Sequence, residues 1–142
     1  MFLMVEKVML SSSSNKKYVI IFFLAIFQFF SSSAFAFDQV SIISLIANPH
    51  KFEGKNIEVK GYLQFDGELI LYVDETRAKN IDFSSAVSVQ DKSTENRLVE
   101  QCANRYVVVR GTVDERYGQV KLIDVVNIYS LNSKEICWKP KG

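Results

Sequence analysis

Three kinds of hydrophobic patterning divide the chain. Tyr18–Phe30 is a solid apolar run broken only by Gln28. From Asn56 onward apolar and polar residues mostly alternate, which marks strands with one buried face. Between these lies a short segment of helical period. There Asp38 is a plausible N-cap, followed by Val40, Ile43, Leu45 and Ile46, and Asn48-Pro49 ends the helix. Asn56–Phe65 places Ile57, Val59 and Leu63 on one face, and Glu58, Lys60, Tyr62 and Gln64 on the other. Asp66-Gly67 is a hairpin signal. Glu68–Val73 is the returning strand, with Leu69, Leu71 and Val73 inward. Asp74–Ser84 reads as a loop with room for a helical turn, and Ala86–Gln90 as a third strand. Asp91–Ala103 changes period: Leu98, Val99 and Cys102 lie behind Ser93-Thr94-Glu95, as in a capped amphipathic helix. Arg105–Val113 puts Val107, Val109 and Val113 inward, with Tyr106, Val108, Arg110 and Thr112 outward. After a turn at Asp114–Gly118, Gly118–Leu131 is a long last strand. Its alternation slips around Asp124, which predicts a bulge. Asn132–Gly142 is a tail carrying Cys137 and the only Trp, Trp138.

The apolar run has a separate meaning. Lys16-Lys17 precede it, Ser31–Ser33 follow, and Ala34-Phe35-Ala36 completes a basic, hydrophobic and small-residue series. That is the order of an export signal cleaved after Ala36. The rival, a membrane anchor, needs about 20 apolar residues, and the polar serines stop this run short. No Cys follows the site, so a lipid-anchored form is not expected. The expected organisation is a signal peptide over 1–36 and one domain over 37–142, periplasmic or extracellular, with no membrane anchor after cleavage. Removing Lys7, Lys16, Lys17 and Glu6 changes the formal charge from +1 to −1. A chain so balanced lacks the clustered cations on which nonspecific nucleic-acid binding rests. In an exported chain the pair Cys102 and Cys137 reads as a disulfide, two buried thiols being the alternative. The bridge would close a loop of about 36 residues and contribute roughly 3–4 kcal/mol.

Two strands look alike: Lys55–Tyr62 and Arg105–Thr112 each run from a basic residue through apolar positions to a basic residue and Gly (Lys60-Gly61, Arg110-Gly111). A Gly inside a strand marks a sharp bend or a close backbone approach, as a small barrel requires. The predicted fold is all-β: a five-stranded barrel with a short N-terminal helix and a helix between strands 3 and 4. That is the OB-fold arrangement. The stretch Leu45-Ile46-Ala47-Asn48-Pro49-His50-Lys51-Phe52-Glu53-Gly54-Lys55, with Val59-Lys60-Gly61-Tyr62 and the later Tyr106–Gly111, resembles small exported bacterial OB-fold-like proteins of unassigned role. They share an L-x-A-x-P-x-x-aromatic-x-G-K opening and a Y-V-x-V-x-G strand. The resemblance implies an OB barrel and brings no catalytic motif.

No nucleophile, base or metal set converges in the sequence. His50 is the only imidazole, so two distant Cys and one His cannot build a zinc centre. The acidic pairs Asp74-Glu75 and Asp114-Glu115 fall at strand ends and read as turn residues. We therefore expect no enzyme, no metal and no cofactor. The candidate ligand face is Lys60, Tyr62, Tyr72, Tyr106 and Arg110, where aromatic and basic residues interleave on the polar side of the strands. Cross-strand pairing explains the same residues without a ligand. The expected function is a non-catalytic exported binding or interaction module. Its partner would be a protein or an oligosaccharide, with single-stranded nucleic acid ranked below. A structural or assembly subunit of a bacterial envelope complex is the alternative.

Overall fold

The computed structural model describes residues 36–90 and 101–140. The strands are β1 (Asp38–Val40), β2 (Asn56–Phe65), β3 (Leu69–Tyr72), β4 (Ala86–Val89), β5 (Arg105–Arg116), β6 (Gln119–Ser130) and β7 (Ile136–Trp138). Two short helices, α1 (Ile42–Ala47) and α2 (Glu75–Lys79), and single 3₁₀ turns at Pro49–Lys51 and Phe83–Ser85 complete the described elements.

The alternating segments form a ring. β2 pairs antiparallel with β3, β3 with β4, β5 with β6, and β5 returns to β2; β4 meets β6 in parallel. The narrowest joint is β4–β6, held only at Ser88↔Lys121 and Val89↔Leu122. Order and directions are those of an OB barrel, and the weak joint leaves it partly open, as that fold commonly is. Inward side chains fill the ring: Ile57, Val59, Leu63, Leu71, Val107, Val109, Leu122 and Ile128 are fully buried. Ile42 and Leu45, one turn apart on α1, join that core.

The two strand glycines behave as their positions predict. A Cβ on Gly61 would lie 2.5 Å from the Tyr72 carbonyl oxygen, so β2 can cross β3 this closely only without a side chain. Gly111 sits opposite the predicted bulge. Pairing steps from Arg110↔Asn127 to Thr112↔Ile123, so β6 carries extra residues around Asp124, whose φ is 47°. The β5–β6 hairpin is tighter than expected. β5 runs on to Arg116, and Tyr117-Gly118 alone turn the chain, with φ of 56° and 74°. Two positive φ values in a two-residue loop suit the twist of the flanking strands.

Three elements differ from the sequence reading. The N-terminal helix does not start at Asp38: Asp38–Val40 pairs in parallel with Ile57–Val59, and Ser41 caps α1 by accepting the Ser44 N–H at 3.1 Å. Ile43, expected on the buried face, is 66% exposed: it lies about 200° around the helix from Leu45, and Ile42 takes the inward place beside Leu45. The loop after β3 contains α2, capped by Asp74. The C-terminal tail contains β7, which pairs with β6 and buries Trp138. The predicted bridge is present: Cys102 and Cys137 are disulfide-bonded, with Cα atoms 5.6 Å apart. The expected helix over 91–103 lies outside the described residues except at its end, where Gln101-Cys102 is helical. Of the expected signal peptide over 1–36, residues 1–35 also lie outside them. Among the described residues no helix is long and apolar enough to cross a membrane.

Candidate ligand-binding surface

The expected ligand face divides into two structures. In the first, the tyrosines form the floor under α2. Tyr62 and Tyr106 are paired across β2 and β5, with ring centroids 5.2 Å apart, edge to face. The Tyr106 hydroxyl accepts the Glu75 N–H at 3.2 Å, which satisfies one of the free donors at the start of α2. Tyr72 is fully buried in a small cluster with Ile70 and Ala78 of α2. The expectation that Tyr72 faces solvent is thus corrected. Alternation assigns it to the outer side correctly, but α2 covers that side. Val108, also expected outward, is buried, with Lys60 and Tyr129 as its cross-strand neighbours.

The second structure is an ion-pair network over β2, β5 and β6. Arg110 Nε donates to Glu58 Oε2 at 2.8 Å, and the Tyr129 hydroxyl donates to the same oxygen at 2.8 Å. Gln39 Nε2 of β1 donates to Oε1 at 3.3 Å. The guanidinium lies 5.1 Å from the centre of the Tyr129 ring and 5.4 Å from that of Phe37. Glu58 is only 8% exposed. Burial pushes its carboxyl up, but the hydrogen bonds from Arg110 and Tyr129, with the attraction of Arg110 and Lys60, outweigh this and hold it below its ordinary value. Arg110 is held as a cation by the Glu58 hydrogen bond. The charge expected to meet a ligand is therefore occupied by Glu58. Lys60 remains exposed, beside an open groove of about 290 Å³ along β1.

A larger groove, about 370 Å³, crosses the outer face of β3 and β4. Ile70, Ala86 and Ser88 form its floor; Phe83 and Ser84 stand on one side, and Gly118–Lys121 of the β5–β6 hairpin on the other. Glu68 closes the β2–β3 end, its Oε2 accepting the Ser88 hydroxyl at 2.8 Å. The Phe83 ring is 58% exposed, and its inner side rests against Tyr72 at 6.3 Å. Burial, then the charges of Asp66, Asp82 and Glu68, push the Tyr72 phenol up; Asp82 is itself paired with Arg77 at 2.9 Å. Lys121 is the one cation among the residues lining the groove. None of these residues was singled out from the sequence. Read singly, they are turn and strand-end polar groups. The available signal was the pair of tight hairpins, Asp66-Gly67 and Tyr117-Gly118, since the corresponding loops flank the ligand face of OB barrels.

The acidic pairs and the single histidine have structural partners. Asp74 caps α2, Glu75 pairs with Lys79 at 2.9 Å, and Asp114 pairs with Arg116 at 3.1 Å. His50 is exposed, and its Nδ1 meets the Glu115 carboxylate at 2.5 Å. Among the described residues no group of three or more His, Cys, Asp or Glu side chains could hold a metal ion.

No protein-family model matches the chain, and no curated protein matches it. Two solved structures are similar in shape. The telomere capping protein Ten1 from Saccharomyces pombe shares 22% identity at a TM-score of 0.44, over 69% of this chain and 84% of that one. A chain of the S. pombe Stn1–Ten1 complex shares 20% identity at a TM-score of 0.40, over 72% and 82%. The fold assignment rests on the strand order and the ring of pairings described above.

Proposed function

We propose that this chain is an exported, non-catalytic OB-fold binding module whose ligand lies in the groove over β3 and β4. The observation that carries the reading is the groove itself. It combines an exposed aromatic ring, a sheet floor and a few convergent polar groups between two tight hairpins, which is how small-ligand sites are commonly built. Export is supported by the basic, apolar, Ala-x-Ala series and by the Cys102–Cys137 bridge, since disulfides persist in oxidising compartments.

Both halves are testable. Protein recovered outside the cytoplasm is expected to begin Phe37-Asp38-Gln39-Val40; an intact chain in the membrane fraction would overturn the export half. For the site, amide shifts of the domain titrated with cell-envelope extract are expected to move at Ile70, Ser84, Ser88 and Gln119. Shifts confined to Glu58, Arg110 and Tyr129 would place the ligand elsewhere. A protein partner is the second reading. One observation favours it: among the described residues β1 pairs only with β2, leaving an open edge beside the exposed Ile43.

A further inference from the structure

We infer that the groove over β3 and β4 takes an uncharged oligosaccharide, with the Phe83 ring as its stacking platform and Glu68, Ser84, Ser88 and Gln119 as hydroxyl partners. This rests on the groove being the binding site and adds the class of ligand.

Three features of the groove separate the candidates. The first is charge. A polyanion needs clustered cations, and here Glu68 and Lys121 are the only charged residues in the lining, while Asp82, next to Phe83, is paired with Arg77 at 2.9 Å. The second is backbone. A peptide held as an added strand needs a free edge. β3 has partners on both sides, and β4 is paired with β3 throughout and with β6 at Ser88 and Val89, so only Ala86 and Val87 retain an open side. The third is lining chemistry. A flat, 58% exposed ring stands beside a carboxylate, two hydroxyls and a carboxamide. A sugar presents the matching pair: C–H groups on the face of its ring and hydroxyls around its rim. Ser88 already donates to Glu68 and Ser84 to Asp82, so both hydroxyls offer lone pairs, as Glu68 does, while Gln119 both donates and accepts; the hydroxyls of a sugar, each a donor, find acceptors along the groove. Glu68 is already oriented by Ser88 at 2.8 Å. The Phe83 and Tyr72 rings lie 6.3 Å apart, tilted by 36°, and Phe83 is otherwise largely exposed, so its ring is available to a ligand in the groove.

The test is amide-shift titration of the oxidised domain with cellulose-, starch- and chitin-derived oligosaccharides, with oligothymidylate and with a lysine-rich peptide. At least one oligosaccharide is expected to move Ser84, Ser88 and Gln119 without a steep dependence on salt. Phe83→Ala and Phe83→Leu should each weaken it by about tenfold, the contribution of one aromatic contact. Glu68→Gln should weaken it severalfold. Both positions are exposed, so the melting transition serves as the control for folding, and Phe83→Leu keeps an apolar cover over Tyr72 if the alanine variant loosens the turn. Groove shifts produced only by oligothymidylate or by the peptide would overturn the ligand class and leave the site standing. Shifts elsewhere would overturn the site. No response to any of the three oligosaccharides would overturn the inference.

Discussion

At the scale of single residues, the Glu58–Arg110 pair shows how a β-sheet face can consume its own charges. The two residues are directly opposed in the β2–β5 register, and Tyr129 reaches the same carboxylate from β6. Removing Arg110 would strand a nearly buried carboxylate. A fully buried pair broken on one side costs about 3–5 kcal/mol; with Arg110 35% exposed, the expected cost of Arg110→Ala is about 1–3 kcal/mol. The pH dependence has a definite sign. The folded carboxyl of Glu58 lies below its ordinary value, so its stabilisation is present above the unfolded carboxylate range and is lost as pH falls through the depressed value. Urea unfolding at neutral and at acid pH should therefore show a smaller acid loss in Glu58→Gln than in the wild type. Equal acid losses in the two proteins would show that other carboxylates carry the effect. The facing of Glu58, Lys60 and Arg110 was legible in the sequence, because period two is a local property. Their engagement was not. It depends on the β5–β6 register, which sets Asn127 across from Arg110 and Tyr129 across from Val108, and the bulge at Asp124 shifts that register. Tyr72 failed for a related reason: alternation names a side of the sheet, and the covering helix comes from another segment.

At the scale of elements, β7 is a strap held by weak pairing and one covalent bond. Its pairings with β6 are Ile128↔Trp138 and Tyr129↔Ile136, yet it buries Trp138 to 7% exposure. Two pairs hold a three-residue strand poorly, so the Cys102–Cys137 bond and the packing of Trp138 into the core are its chief restraints. The Cys102→Ser, Cys137→Ser double variant is expected to lose about 3–4 kcal/mol in denaturant unfolding, the loop-entropy value for this span. Trp138 is the only tryptophan, so its emission reports β7 directly and should shift to the red in the variant. An unchanged midpoint with a buried tryptophan would show that β7 holds without the bridge. The tail was read as irregular because three residues are too few to display alternation. The start of α1 was misplaced because Asp38 and Ser41 are both good caps. Pairing of Asp38–Val40 with β2 decides between them, and that is a long-range fact. The bulge and both strand glycines were legible, since each disrupts or punctuates a strong local pattern.

At the scale of the molecule, the barrel was foreseeable from the order of its strands, and the groove was not. Its lining comes from the end of α1 and Pro49, β3, the turn before β4, β4 itself and the β5–β6 hairpin, segments brought together when β6 pairs with β4 and the ring closes. The same closure distributes the charges. Residues 37–142 stand at a formal −1. Of the basic groups first placed on a ligand face, Arg110 is bound to Glu58 and Lys60 lies along β1, outside the lining of the larger groove. Phosphate binding at the groove therefore has Lys121 alone to draw on. Each neutralised phosphate contributes about −0.7 to the slope of log K against log salt for a single strand, so a site with one or two cations gives a shallow dependence and weak affinity. Titration of residues 37–142 with single-stranded DNA should show no saturable binding at physiological salt. At low salt it should show only weak binding, with a slope near that of one or two contacts. Micromolar, salt-steep binding that disappears in a Lys60→Ala, Lys121→Ala double variant would mean that the two grooves act together as one polyanion track. The carboxylates at the groove would then have to be neutralised or turned aside when DNA binds.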